Sequence, residues 1–126
     1  MKNIITSFII FIIMITGIFF SSKHLTNVSN QLLKQTNSLE TIVTNEKWED
    51  AYKMSISLLN KWKKEHRKLS VFVHHEEIDD INNELLQLTQ YVKCKDKSES
   101  LAKIHVIKFF VNNIIELEKV NLQNIF

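Results

Sequence analysis

The densest cluster of side chains able to do chemistry is His74-His75-Glu76-Glu77-Ile78-Asp79-Asp80. His75 and Asp79 are four residues apart, so on a helix they share one face. A zinc hydrolase of the His-Glu-x-x-His type needs two imidazoles on the metal and a glutamate to activate water. Here Asp79 stands where the second imidazole belongs. His75 and Asp79 are therefore weak metal candidates, and the acids read better as the start of a helix, where the dipole favours them. Cys94 is flanked by Lys93 and Lys95. A catalytic thiol also needs a positioned base, and the histidine that follows is His105, eleven residues on. No serine sits in a strand-to-helix elbow of the Gly-x-Ser-x-Gly kind.

Composition removes further chemistry. One cysteine excludes an internal disulfide and a multi-cysteine zinc site, and one glycine with no proline excludes Gly-rich phosphate and dinucleotide loops. Sixteen basic and 14 acidic residues give a net charge of +2, too balanced for binding nucleic acid through its phosphates. The exception is the basic run Lys61-Trp62-Lys63-Lys64-Glu65-His66-Arg67-Lys68. It reads as a solvated helix face, or as a contact to anionic lipid if the domain lies against a membrane. Trp48 and Trp62 are 14 residues apart and fall on nearly one helix face, where core packing is the plain reading and ligand stacking the alternative. With Tyr91 they are the candidate core or interaction anchors. No complete catalytic constellation is present, so the expectation is a protein that is not an enzyme and carries no cofactor and no metal.

The elements that must position these residues are helical. Tight turns of all-β folds need glycine or proline, and the chain has one of them in 126 residues. Residues 4–20, IITSFIIFIIMITGIFF, carry no charge. With their neighbours they reach the length that crosses ~30 Å of hydrocarbon, and lipid forces such a segment into a helix. A cleaved signal peptide is the alternative, but Phe19 and Phe20 make a poor cleavage site. Lys2 on one side against Lys23 and Lys34 on the other leaves the positive-inside rule nearly silent. The short N-terminal tail favours a signal-anchor with the remainder exported.

Beyond it, Leu25, Val28, Leu32, Leu39 and Ile42 form a narrow seam, with Gln35 at the missing step, on a helix that continues the apolar one. Thr44-Asn45 reads as a cap for a second helix with the seam Trp48, Ala51, Ser55, Leu58 and Trp62, continuing to Leu69 and Phe72. Ile78, Ile81, Leu85, Leu88 and Val92 form a third seam, half a turn out of phase, which predicts a break between Val71 and Glu77. Asp96-x-x-Glu99 matches a capping box for a last helix, apolar on most sides and expected to be the most buried. No repeat with a period near 34 residues is visible.

Taken together, the anchor, Trp48-Glu-Asp-Ala51, Trp62, His75-x-Glu77-Ile78-Asp79-x-Ile81, Tyr91, Asp96, Glu99-Ser-Leu-Ala102 and the terminal Asn121-Leu-Gln-Asn124-Ile-Phe126 resemble the small bacterial membrane proteins of domain-of-unknown-function family 4363. The resemblance covers essentially the whole chain. It implies a single-pass anchor and an α-helical domain in low-GC bacteria, with no known enzyme activity and no catalytic residues to carry over. Family members tend to carry an acid after Glu-Ser-Leu-Ala, where this chain has Lys103.

The expected architecture is all-α: an N-terminal transmembrane helix followed by a bundle of about four helices. Residues 1–22 form the signal-anchor, in contact with the bilayer through 4–20, and residues 23–126 the domain outside the cytoplasmic membrane. The expected role is interaction or assembly at the cell envelope, through a membrane-protein partner or self-association. A sensor-like, ligand-binding bundle is the alternative, and metal binding at His75 and Asp79 the weaker one.

Overall fold

The computed structural model describes residues 1–69 and 75–125, with backbone alone at 69, 75, 121, 122 and 125. The described residues form four helices, α1 (Lys2–Thr44), α2 (Trp48–Leu69), α3 (His75–Lys93) and α4 (Lys97–Ile125). Each packs on its chain neighbours, and α4 closes the ring against α1. Inter-helix pairs fix the directions. His24 meets Glu65, His66 meets Asp79, Glu84 meets Lys103 and Glu40 meets Lys108. Ser22 lies on Glu118 while Glu40 lies on Lys108, so α1 and α4 run antiparallel. The arrangement is an up-down-up-down four-helix bundle.

α1 is one helix of 43 residues, ~65 Å at 1.5 Å per residue. Its first half is long and apolar enough to cross a membrane, and its large side chains, among them Phe8, Phe11, Met14 and Phe20, are exposed. Thr6, Ser7 and Thr16 return their hydroxyls to the carbonyls four residues back, so this half presents few unsatisfied polar groups. The second half enters the bundle at Ser22 without a break.

The buried face of α1 differs from the expected seam. It is Ser22, Leu25, Ser29, Leu32, Thr36, Leu39 and Val43, an unbroken alternation of three and four, while Val28 and Ile42 are only partly buried. Thr36 fills the step assigned to Gln35. Its hydroxyl donates to the Leu32 carbonyl at 2.7 Å, so the helix satisfies the hydroxyl internally and can bury it. The seams of α2 and α3 lie where the spacing predicts: Ala51, Ser55, Leu58 and Trp62, then Ile78, Ile81, Leu85, Leu88 and Val92. α2 is described to Leu69 and α3 from His75, and the two run antiparallel, so the chain reverses between them; the expected break between Val71 and Glu77 falls largely on residues 70–74, outside the described residues. Phe72 and His74 lie outside the described residues.

The turns joining α1 to α2 and α3 to α4 share one geometry. Glu46 has φ 57° and Lys95 φ 56°. Around them Glu46 N–H donates to the Val43 carbonyl and Lys47 N–H to Ile42, as Lys95 N–H donates to Val92 and Asp96 N–H to Tyr91. These are two Schellman closures with a non-glycine residue in the left-handed position. Asn45 therefore caps the end of α1 rather than opening α2. Asp96 does open α4, accepting from Glu99 N–H at 3.1 Å. Its own N–H is taken by Tyr91, so only half of the expected capping box forms.

The two turns are 49 residues apart, and the same offset maps one hairpin onto the other. It carries Ser29, Leu32, Thr36, Leu39 and Val43 onto Ile78, Ile81, Leu85, Leu88 and Val92, and Ala51, Ser55, Leu58 and Trp62 onto Ser100, Ile104, Ile107 and Val111, all buried. The bundle is thus two helical hairpins in matching register, a repeat of structural position without a repeat of side chains.

α4 is not the most buried helix. Its core face is narrow: Ser100, Ile104, Ile107, Val111, Ile114 and Ile115. Phe109 is 62% exposed, Leu117 46% and Val120 50%. A four-helix ring covers only one side of each member, so apolar residues on the other side of α4 are left uncovered.

Candidate functional site

Of the sequence-predicted residues that are described, Trp62 lies beside Ile78 and Asp79 at one end of the bundle, and Trp48 and Tyr91 lie at the other. Asp79 meets α2. Its Oδ1 lies 2.6 Å from His66 Nε2 on α2. His75 opens α3, and its side chain is outside the described residues. Among the described residues no group of three or more His, Cys, Asp or Glu is placed to hold a metal ion. His66 was missed from sequence as a partner of Asp79, because only the antiparallel packing of α2 on α3 joins them. Cys94 is exposed in the α3–α4 turn, while His105 faces Glu40 of α1 at 3.6 Å.

The two tryptophans have different surroundings. Trp62 is buried, and its indole N–H donates to the Ile78 carbonyl at 3.2 Å. Trp48 is partly buried at the other end of α2, packed on the core. Trp62 also floors a shallow groove between α1 and α2, lined by Val28, Leu32, Gln35, Leu58, Lys61 and Glu65, with a volume of ~10 Å³, room for about one water. That is below the usual size of a small-molecule site. Tyr91 is partly exposed at the end of α3, where its carbonyl closes the turn.

Two surface features stand out. The basic run ends α2 level with the top of the apolar segment, as the 2.9 Å contact between Glu65 and His24 shows. α3 begins at the same end with Glu76, Glu77, Asp79 and Asp80, so positive and negative charge sit side by side there.

The other feature is the outer face of α4. Ala102, Val106, Phe109, Asn113, Leu117 and Val120 follow helical spacing along this face, and no charge interrupts the stripe. Two ion pairs hold α4 so that it points outward. Lys103 reaches Glu84 of α3 at 2.9 Å on one flank, and Lys108 reaches Glu40 of α1 on the other. Both lysines are less than a fifth exposed. Such pairs fix register more than they add stability. Lys103, the departure from the expected acid, is thus the cation of an inter-helix pair.

The matching hairpin supplies an internal control. Shifted by 49 residues, the stripe falls on Lys53, Ser57, Asn60, Lys64 and Lys68 of α2, whose outer face is polar. The fold therefore does not require apolar residues at this position. Sequence reading missed the stripe because a wide apolar arc looks the same whether half of it faces a core or a partner.

Comparison with known proteins gives one match: the family model described as Domain of unknown function (DUF4363) covers residues 19–125. No curated protein and no solved structure matches the chain.

Proposed function

Since the chain belongs to the DUF4363 family over the whole bundle and the last turn of its apolar segment, we propose a role that rests on this architecture: a non-enzymatic interaction or assembly component held at the cytoplasmic membrane by residues 4–20, with its bundle on the outer side. The observation that carries this reading is the continuity of α1. One helix supplies both the apolar segment and a quarter of the bundle, with no joint at Ser22. Anchoring would fix the bundle upright and close to the bilayer, and an uncovered apolar face on α4 would then be offered sideways to membrane neighbours.

Cys94 tests the location, being the only thiol in the chain and exposed at the end of the bundle away from the apolar segment. A membrane-impermeant maleimide should label full-length protein in intact cells, and the protein should sediment with membranes. Labelling only after permeabilisation would place the bundle in the cytoplasm and overturn the topology. Release of the protein, shortened at its N-terminus, would overturn the anchor.

A second reading rests on the groove over Trp62, which would have to widen to admit a ligand. It makes the bundle a sensor-like binder of a small apolar ligand, its output passed to a partner. Quenching of Trp62 fluorescence by a bound ligand, lost in Leu58→Trp, would support it. An unchanged melting temperature across a broad ligand screen would count against it.

A further inference from the structure

We propose that the α4 stripe is the contact between two copies of this chain, parallel and related by a two-fold axis normal to the membrane; this rests on the anchored reading above. The lower end of the stripe is within reach of lipid headgroups: Leu117 and Val120 flank Glu118, which meets Ser22, two residues past the end of the apolar segment at Phe20. Phe109 and Asn113 stand higher. Phe109 is nine residues up α4 from Glu118, so at 1.5 Å per residue it lies ~15 Å above the hydrocarbon, beyond a headgroup layer of ~5–8 Å. α1 and α4 are antiparallel, so the stripe stands along the membrane normal and cannot lie flat on the surface. Lipid does not cover its upper half, from Ala102 to Asn113.

Symmetry and charge select the second copy. All anchored copies point the same way, so a closed pair has its axis normal to the bilayer, and the contact is isologous. Each residue on the axis then meets itself at the same height. A lysine or glutamate there would meet its like. From Ala102 to Val120 the stripe contains none, whereas the same face of α2 carries Lys53, Lys64 and Lys68. Asn113 is the one polar residue in the stripe, exposed between Phe109 and Leu117. A single asparagine in an apolar helix seam bonds its symmetry mate and fixes a parallel register. The stripe is shorter than the ~3–4 heptads a free coiled coil needs. Confinement of both copies to one membrane in one orientation raises their effective concentration and makes a contact of this length sufficient.

The test uses full-length protein in native membranes with Cys94→Ser removing the natural thiol. Single cysteines are placed at Phe109→Cys and Asn113→Cys, and at Asn60→Cys and Lys64→Cys, their equivalents on α2. Oxidation should give a dimer-mass band at Phe109→Cys and Asn113→Cys, several-fold stronger than at the α2 pair. Adding Phe109→Asp to Asn113→Cys should abolish the band, since two carboxylates would then meet on the axis. Equal bands at all four sites mean random collision and overturn the proposal. Monomer at all sites in protein that stays in the membrane fraction overturns the self-contact and leaves the anchored reading standing, as do adducts with a different protein alone. Protein that leaves the membrane fraction overturns both.

Discussion

Lys95 sits at φ 56° with no glycine to relieve it, and the consequence can be worked out. A left-handed conformation costs an ordinary residue ~1–2 kcal/mol relative to its preferred regions. Glycine adopts it freely but loses more entropy on folding, ~0.5–1 kcal/mol. Lys95→Gly should therefore stabilise the bundle by about 0.5–1 kcal/mol, or ~2–8 °C in melting temperature for a domain of this size. Glu46→Gly should gain less, because Glu46 also meets Lys97 at 3.8 Å in a partly exposed pair. Lys95→Ala is the control: it removes the side chain, keeps the strain and should change little. Thermal and urea unfolding of the full chain in a mild detergent would measure all three. A Lys95→Gly protein no more stable than Lys95→Ala would refute the assignment of strain to this turn, and with it the equivalence of the two turns.

Other substitutions probe the core and the matching register of the two hairpins. Trp62→Phe should cost about 2–3 kcal/mol, from the lost bond to the Ile78 carbonyl and the space left behind, while Trp48→Phe, at a partly buried site, should cost less than ~1 kcal/mol by urea unfolding. Ser100 is buried with its hydroxyl unpartnered, and its equivalent is Ala51; Ser100→Ala should stabilise by about 1 kcal/mol, and a loss would mean that the hydroxyl has an unseen partner. Lys103→Met alone should destabilise by ~1–2 kcal/mol by leaving a mostly buried Glu84. Adding Glu84→Gln recreates the Gln35 and Met54 pairing of the first hairpin and should restore most of that loss, read as a double-mutant cycle.

How much of this was legible in the sequence depended on whether burial followed apolarity. The α3 seam, the break before it, the Asp96 cap and the apolar first segment are all written in side-chain type at helical spacing, and each was readable. Ser29 and Thr36 were not, because a small hydroxyl in a helix seam is indistinguishable from one facing water until the neighbouring helix is in place. The left-handed turns were hidden because Glu46 and Lys95 stand where glycine or asparagine is the usual signal. The α4 stripe was readable as apolar but not as exposed. Hydrophobic pattern reports which faces avoid water, and only the packed bundle divides them between its own core and a surface. The contact of Asp79 with His66 likewise needed the antiparallel pairing of α2 with α3.

The pair of hairpins also shapes the order in which the protein assembles. Three of the four helix interfaces join elements that are consecutive in the chain, two of them closed by turns of three residues, and only the pairing of α1 with α4 spans its full length. Local pairings form fast, on the scale expected of proteins with low contact order. Each hairpin alone leaves one side of its seam wet, so neither is stable by itself. The first hairpin leaves the ribosome before the second, which must fold back onto it. By sequence separation, the closure of α4 on α1, with Glu40 on Lys108 and Ser22 on Glu118, is expected to be the slowest pairing. A chain stalled before that step would expose α1 and α4 together, and quality-control proteases would find their substrate there.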